Sequence, residues 1–288
     1  MTTEPTAARS PATGREAVLH MLSKVPEVTL YFWLIKVLCT TVGETFADYL
    51  NETLGFGLTK TTLVMGVAFL VFLAIQFRAR RYVPWIYWTT VVLISVFGTL
   101  ITDNLTDGHG VPTTTTTPIF AALLAVTFLA WYLVERTLSI HTIRTPRREA
   151  FYWLAILFTF ALGTAGGDML SEQLGFGYLT AVLIFAAAIA AVCVAHWGLG
   201  MGPVLSFWLA YILTRPLGAS IGDYMSQPRQ DGGLGLGTTA TSVIFLGAIV
   251  ALVVFLTVTR RDLTDDEEYD AESVAAEAEA EAHHHHHH

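Results

Sequence analysis

The sequence predicts an all-α integral membrane protein: eight transmembrane helices built as four parallel two-helix repeats, arranged as a duplicated two-repeat half. Three observations predict it. Of the 288 residues 53% are hydrophobic and the mean hydropathy is +0.53, above the range of soluble domains. Eight stretches approach the ~20 apolar residues that a helix needs to cross a bilayer. One pattern, aromatic-Trp-x9-Gly-x4-Asp, occurs four times.

The eight spans are predicted over 28–50, 59–77, 84–105, 117–135, 149–171, 178–197, 203–225 and 238–259. These runs are continuous rather than alternating, so they read as helices and not as barrel strands. Residues 1–25 form a polar N-terminal segment without the apolar centre of a signal peptide, so the first span is expected to act as the insertion signal. The spans divide into a first half, 26–135, and a second, 149–259, joined by the basic connector 136–148. Residues 260–282 read as an acidic, disordered tail, and 283–288 are a histidine tag. Ten of the 24 acids lie between Asp262 and Glu281, so the net charge of −8 belongs to this tail and not to the membrane body.

Orientation follows from the bases. Twelve of the 16 Lys and Arg lie in the N-terminal segment, the connectors 2–3 and 4–5, and the C-terminus. Opposite them stand only Lys60 and Arg229, while Lys36 and Arg215 lie within spans. Both termini are therefore expected in the cytoplasm, in a bacterial cytoplasmic (inner) membrane.

The repeat carries most of the information. Trp33, Trp88, Trp153 and Trp208 each follow an aromatic residue. Gly43, Gly98, Gly163 and Gly218 come ten residues later, and Asp48, Asp103, Asp168 and Asp223 five further on. Repeats one and three, like two and four, are offset by 120 residues. Each repeat begins on the same side, which implies a pseudo-symmetry axis along the membrane normal. Four such units can bring their Asp residues towards that axis.

Positions 7, 11 and 15 after each Trp share one helix face. They are Thr40, Glu44 and Asp48; Ser95, Thr99 and Asp103; Phe160, Thr164 and Asp168; and Arg215, Ala219 and Asp223. At ~1.5 Å per residue the Asp lies roughly 22 Å beyond the Trp, in the outer third of the membrane. The recurring Gly allows close helix approach. A carboxylate at such depth costs up to ~2.5–3.5 kcal/mol on insertion scales, and something positive should compensate it.

Two readings of the Asp residues stay open. They form a site for a cation or protons with Glu44, supported by the hydroxyls of Thr40, Thr99 and Thr164. Alternatively, they cap the Ser/Thr-rich starts of the following helices. Glu44 is unique to the first repeat, and it either ligates or pairs with Lys36 or Arg215, the two charge-compensating bases. Arg215 either leaves when a metal enters or simply satisfies a buried acid. Pro216 after it is placed to kink span seven. Glu52 and Glu172 fall at the outer mouth.

Other chemistry finds no support. Cys39 and Cys193, and His20, His109, His141 and His196, have no metal-ligand spacing. "GASIG" at 218–222 matches the serine-nucleophile pattern but lies inside the repeat, not between a strand and a helix. No phosphate loop, zinc-protease motif or nucleic-acid-binding module is present, so no enzyme activity and no catalytic residue is expected. The Trp and Tyr residues suit interfacial anchoring.

In its fourfold Trp–Gly–Asp pattern, and most specifically in "KVPEVTLYFWLIKVL" followed by "GETFADYL", the chain resembles a family of bacterial membrane proteins built on a tandem repeat of unknown function. That repeat has two spans and a characteristic Trp, and is usually present in four copies. The resemblance covers about residues 25–258 and implies the architecture but no chemistry.

The expected function is cation transport, with a divalent ion such as Mn²⁺ preferred, no covalent cofactor, and proton exchange allowed. The partners are the lipid bilayer, the inorganic cation and protons; a homo-oligomer stays open. Two alternatives remain: a proton-coupled transporter of a small organic or anionic solute that uses Lys36 and Arg215, and a membrane scaffold with structural Asp caps.

Overall fold

The computed structural model describes residues 23–263. Most of the N-terminal segment with His20, the bulk of the acidic tail and the histidine tag lie outside the described residues. Among the described residues there are eight helices long and apolar enough to cross a membrane, and no strand. This is the architecture of a multi-pass membrane protein.

The first helix, α1 (Leu30–Asp48), continues through a π-helical turn at Tyr49–Thr53. It is followed by α2 (Leu58–Arg78) and by α3 (Pro84–Asp103), which has its own π-turn at Asn104–Gly108. Next come α4 (Thr113–Glu135) and α5 (Pro146–Asp168), the latter with a π-turn at Met169–Gln173. Helices α6 (Tyr178–Gly198), α7 (Pro203–Ser226) and α8 (Gly237–Thr259) complete the chain. The spans fall where hydropathy places them, with two systematic shifts. The π-turns carry α1, α3 and α5 past their expected ends, because "YLNET", "NLTDG" and "MLSEQ" are too polar for an apolar window yet still helical. Four threonines, Thr113–Thr116, enter α4 instead of preceding it, and Pro146 opens α5 at a position where its missing N–H costs nothing.

The odd-numbered helices form a closed inner ring: α1 packs on α3 and α7, and α5 packs on the same two. Each even helix seats on the inner helix of the following repeat: α2 on α3, α4 on α5, α6 on α7, and α8 back on α1. The outer helices leave Leu63, Val67, Leu183, Val194, Val243 and Val250 exposed. Against lipid tails that exposure carries no penalty.

The recurring glycines explain how closely the inner helices approach. Gly43 faces Ser95, Gly98 faces Phe160, Gly163 faces Arg215 and Gly218 faces Thr40. A Cβ at any of the four would come within 2.7 Å of a neighbouring heavy atom. Each glycine thus receives the residue seven places after the Trp of the next repeat, and the fourth hands back to the first. Such matched contacts require the inner helices to run in the same direction. We call their two ends the Trp end and the Asp end.

At the Trp end the expectation of interfacial anchoring is corrected. Trp88, Trp153 and Trp208 are buried, and each indole N–H holds a group near that end. Trp88 donates to the Tyr82 hydroxyl at 3.0 Å, Trp153 to Glu149 at 3.3 Å and Trp208 to the Leu138 carbonyl at 2.9 Å. Trp131 is buried as well, whereas Trp85 and Trp197 are exposed, as membrane-interface residues are. A strap, residues 23–29, ties this end together. Lys24 is fully buried in an ion pair with Glu149 and also donates to the Phe77 carbonyl. Gln76 bonds the Lys24 carbonyl and Glu149, and the Glu27 amide reaches the Asp262 carbonyl at 2.9 Å.

Candidate functional site

Steps of four along the inner helices keep one face turned to the axis, and the contacts assemble that face into five layers. Nearest the Trp end, the Tyr87 and Tyr152 hydroxyls bond each other while Phe32 and Phe207 pack at 5.9 Å between ring centres. Lys36, Val91, Ile156 and Tyr211 follow, then Thr40, Ser95, Phe160 and Arg215, then Glu44, Thr99, Thr164 and Ala219, every one of them buried. The last layer is Asp48, Asp103, Asp168 and Asp223. On the Trp side, therefore, the axis is packed with aromatic and aliphatic groups. On the Asp side it ends among acids.

Arg215 occupies the centre. Its side chain leaves α7 over Gly163, which has no Cβ to obstruct it, and over Ala219 of its own repeat it meets no competing polar group. One terminal nitrogen donates to Glu44 at 3.0 Å, to Thr164 at 2.8 Å and to Thr99. The other donates to the Thr40 carbonyl and, at 3.5 Å, to Ser95. This single guanidinium therefore binds α1, α3 and α5 together. Of the two bases the sequence offers to Glu44, the structure selects Arg215. Thr99 and Thr164 support the site through their hydroxyls, but Thr40 does so through its carbonyl, because its hydroxyl is taken by the Val37 carbonyl at 2.7 Å.

Lys36 plays a different part. Its ammonium donates to the Tyr211 carbonyl at 2.9 Å and to the Thr214 hydroxyl, and lies 3.8 Å from the Tyr211 ring centre. Among the described residues it has no ion-pair partner. The Phe160 ring lies 5.5 Å from the Lys36 ammonium and 5.7 Å from the Arg215 guanidinium carbon. Phe160 thus separates two buried like charges and offers its π-face to both. The sequence marks it only as the one aromatic among hydroxyl and basic residues at its repeat position.

The four Asp residues converge at the other end of the ring. Oxygens of Glu44, Asp48 and Asp223 all lie within 4.8 Å of one another, the spacing of groups that can share a metal ion. Asp103 and Asp168 are set further round the ring, and both interact electrostatically with Glu44 and Asp48. None of the four Asp carboxylates accepts a hydrogen bond among the described residues. At the starts of α2, α4, α6 and α8 the N-cap residue makes no side-chain cap, and at α4 the Thr114 amide donates instead to the Gln173 side chain at 3.3 Å. Glu52 and Glu172 are exposed on the π-turns, where Glu172 accepts from Tyr178 at 3.1 Å.

Ser220 of the "GASIG" match lies inside α7, as does Pro216, which packs against Gly167 of α5. His109 and His196 each approach a backbone carbonyl, and both cysteines are free. A cavity of about 630 Å³ between α1, α6 and α7 is lined by apolar side chains with a few hydroxyls and histidines, and by no acid. Sequence reasoning missed the pairing of Glu149 with Lys24: the signal was a lone acid four residues before Trp153, masked by Arg147 and Arg148 directly before it.

Four consecutive stretches, 31–82, 86–137, 151–200 and 206–262, match the family described as Repeat of Unknown Function (DUF347). The chain belongs to this family. Each match spans one inner helix and the outer helix after it, so the family's repeat is one Trp–Gly–Asp unit with its partner. No curated protein and no solved structure matches the chain.

Proposed function

We propose that this protein is a cation transporter whose ion enters at the Asp end and is held first by Glu44, Asp48 and Asp223. The observation that carries the reading is the approach of these three carboxylates to within 4.8 Å while, among the described residues, neither Asp has a hydrogen-bond donor. Carboxylates with nearby threonine hydroxyls and carbonyls suit hard divalent ions, and Mn²⁺ is the preferred member of that class. Charge balance points the same way. Among the described residues, five carboxylates along the axis face only Lys36 and Arg215, so full ionisation leaves three positive charges wanting, which one divalent ion and one proton supply. The distribution of bases supports cytoplasmic termini, an Asp end on the outer face of a bacterial inner membrane, and acids at Glu52 and Glu172 that draw cations in. The offset of 120 residues supports a duplicated two-repeat half.

A small anionic solute bound to Lys36 and Arg215 fits less well, because Arg215 is already engaged by three repeats and Lys36 is fully enclosed. The test is uptake of Mn²⁺, Mg²⁺, Ca²⁺ and Na⁺ into proteoliposomes, comparing the unsubstituted protein with folded Asp48→Asn, Asp168→Asn and Asp223→Asn. Flux of one ion, lost in Asp48→Asn and Asp223→Asn, supports the site. Absence of flux for every ion discards it.

A further inference from the structure

We propose that the oxygens gripping the Arg215 guanidinium are a second, inner cation site, which the chain fills with its own side chain. This inference rests on the cation-transport reading and adds a site to it. Five oxygens surround the guanidinium: the Glu44 carboxylate, the hydroxyls of Thr99, Thr164 and Ser95, and the Thr40 carbonyl. One carboxylate, three hydroxyls and a carbonyl, with no nitrogen or sulfur among them, are the donor set of a hard cation.

The hydroxyl protons make the case specific. Thr99 donates to the Ser95 carbonyl at 3.1 Å, and Thr164 donates to the Phe160 carbonyl at 3.1 Å. Each hydroxyl has thereby committed its only proton to its own helix and turns lone pairs alone towards the axis. Such a ring presents acceptors suited to a cation. The Arg215 Nε, buried and without a partner, shows that the ring holds only the far edge of the guanidinium. A smaller ion needs only that edge.

Glu44 belongs to both sites, since it holds Arg215 on one side and stands within 4.8 Å of Asp48 and Asp223 on the other. An ion at the outer carboxylates is thus one shared ligand away from the inner ring, and its advance requires the arginine to withdraw. Arg215 acts as a tethered competitor: it keeps the ring neutralised when no ion is present, and blocks the axis.

The test measures Mn²⁺ binding to the full-length protein in detergent by equilibrium dialysis. Arg215→Met keeps the aliphatic stem against Gly163 and removes the charge. It should bind Mn²⁺ at least about tenfold more tightly than the unsubstituted protein. Millimolar guanidinium should reverse the gain in the variant and leave the unsubstituted protein unaffected. Adding Thr99→Val with Thr164→Val should also erase the gain. Should Arg215→Met not fold, Arg215→Lys, whose ammonium cannot fork to three repeats, should show a smaller gain in the same direction. Mn²⁺ binding that is unchanged or weaker in both variants, or insensitive to guanidinium, overturns the inner site alone. Absence of binding in every folded protein overturns the cation reading and the inner site with it.

Discussion

Gly218 of α7 lies directly against Thr40 of α1, so closely that a Cβ on the glycine would fall 1.8 Å from the threonine hydroxyl. The contact closes the ring between the last repeat and the first. Overpacking of this kind costs about 1–3 kcal/mol, so Gly218→Ala should lower the melting temperature in detergent markedly. Gly247 in α8 has nothing within 4 Å of its added Cβ and faces outward. There the same substitution removes only backbone freedom, and Gly247→Ala should be neutral or stabilising by up to ~1 kcal/mol. Equal losses at both positions would refute the close approach.

The Lys24–Glu149 pair is fully buried and anchors the strap to α5. Removing one partner of such a pair typically costs about 3–5 kcal/mol, because it strands a buried charge. Lys24→Met alone should therefore be severely destabilising in a thermal melt, and Lys24→Met with Glu149→Leu should recover most of the loss. No recovery in the double variant would mean that the strap is held by something other than this pair.

Among the described residues the carboxylates of Asp48, Asp103, Asp168 and Asp223 make no hydrogen bonds, and Asp48 and Asp223 stand close to Glu44. Neutralising one relieves repulsion and breaks nothing. Asp223→Asn should consequently melt at or above the temperature of the unsubstituted protein while losing ion flux, a trade of activity for stability. Glu44→Ala should instead melt lower, since it leaves Arg215 buried without its carboxylate. A fall in stability for Asp223→Asn would favour a structural role for the acids.

Burial pushes the Asp262 carboxyl above the usual range, and the hydrogen bond from Tyr82 opposes that only in part. Because the folded-state pKa is raised, the stabilising contribution is complete below the unfolded value of about 3.9. It disappears as the pH climbs through the raised folded value. The Trp end should therefore tighten on mild acidification. Amide protection factors at residues 24–29, taken relative to intrinsic exchange at each pH, should rise between neutral and mildly acidic pH, and Asp262→Asn should abolish that rise. Protection that is equally pH-dependent in the variant would remove Asp262 from the account.

The spans, the repeat and the shared face of Thr40, Glu44 and Asp48 are legible because helical spacing and charge in an apolar chain leave a strong signal. The seating of each outer helix on the following repeat is not. A stretch such as "AVLIFAAAIAAVCVA" in α6 is apolar all round, and lipid and protein demand the same side chains, so no stripe marks its partner. The choice of Arg215 over Lys36 for Glu44 was within reach. Arg215 sits one turn below the layer of Glu44 and Lys36 two turns below, and only the longer, forked side chain spans to three repeats. The burial of Lys24 was not legible, because it depends on Glu149, 125 residues away.

The return of α8 to α1 means that the ring has no structural beginning. A circular permutant, joined between Leu263 and Ser23 and reopened inside the 136–148 connector, keeps every helix on its seat. A chain cut there instead yields two complementary fragments. The first carries α4 with no inner helix to cover, and leaves α1 bare. The second presents α5 uncovered, together with an unseated α8. Each fragment supplies the surface the other lacks, so co-expressed halves should assemble by exchanging arms, and neither should be soluble in detergent as a monomer alone.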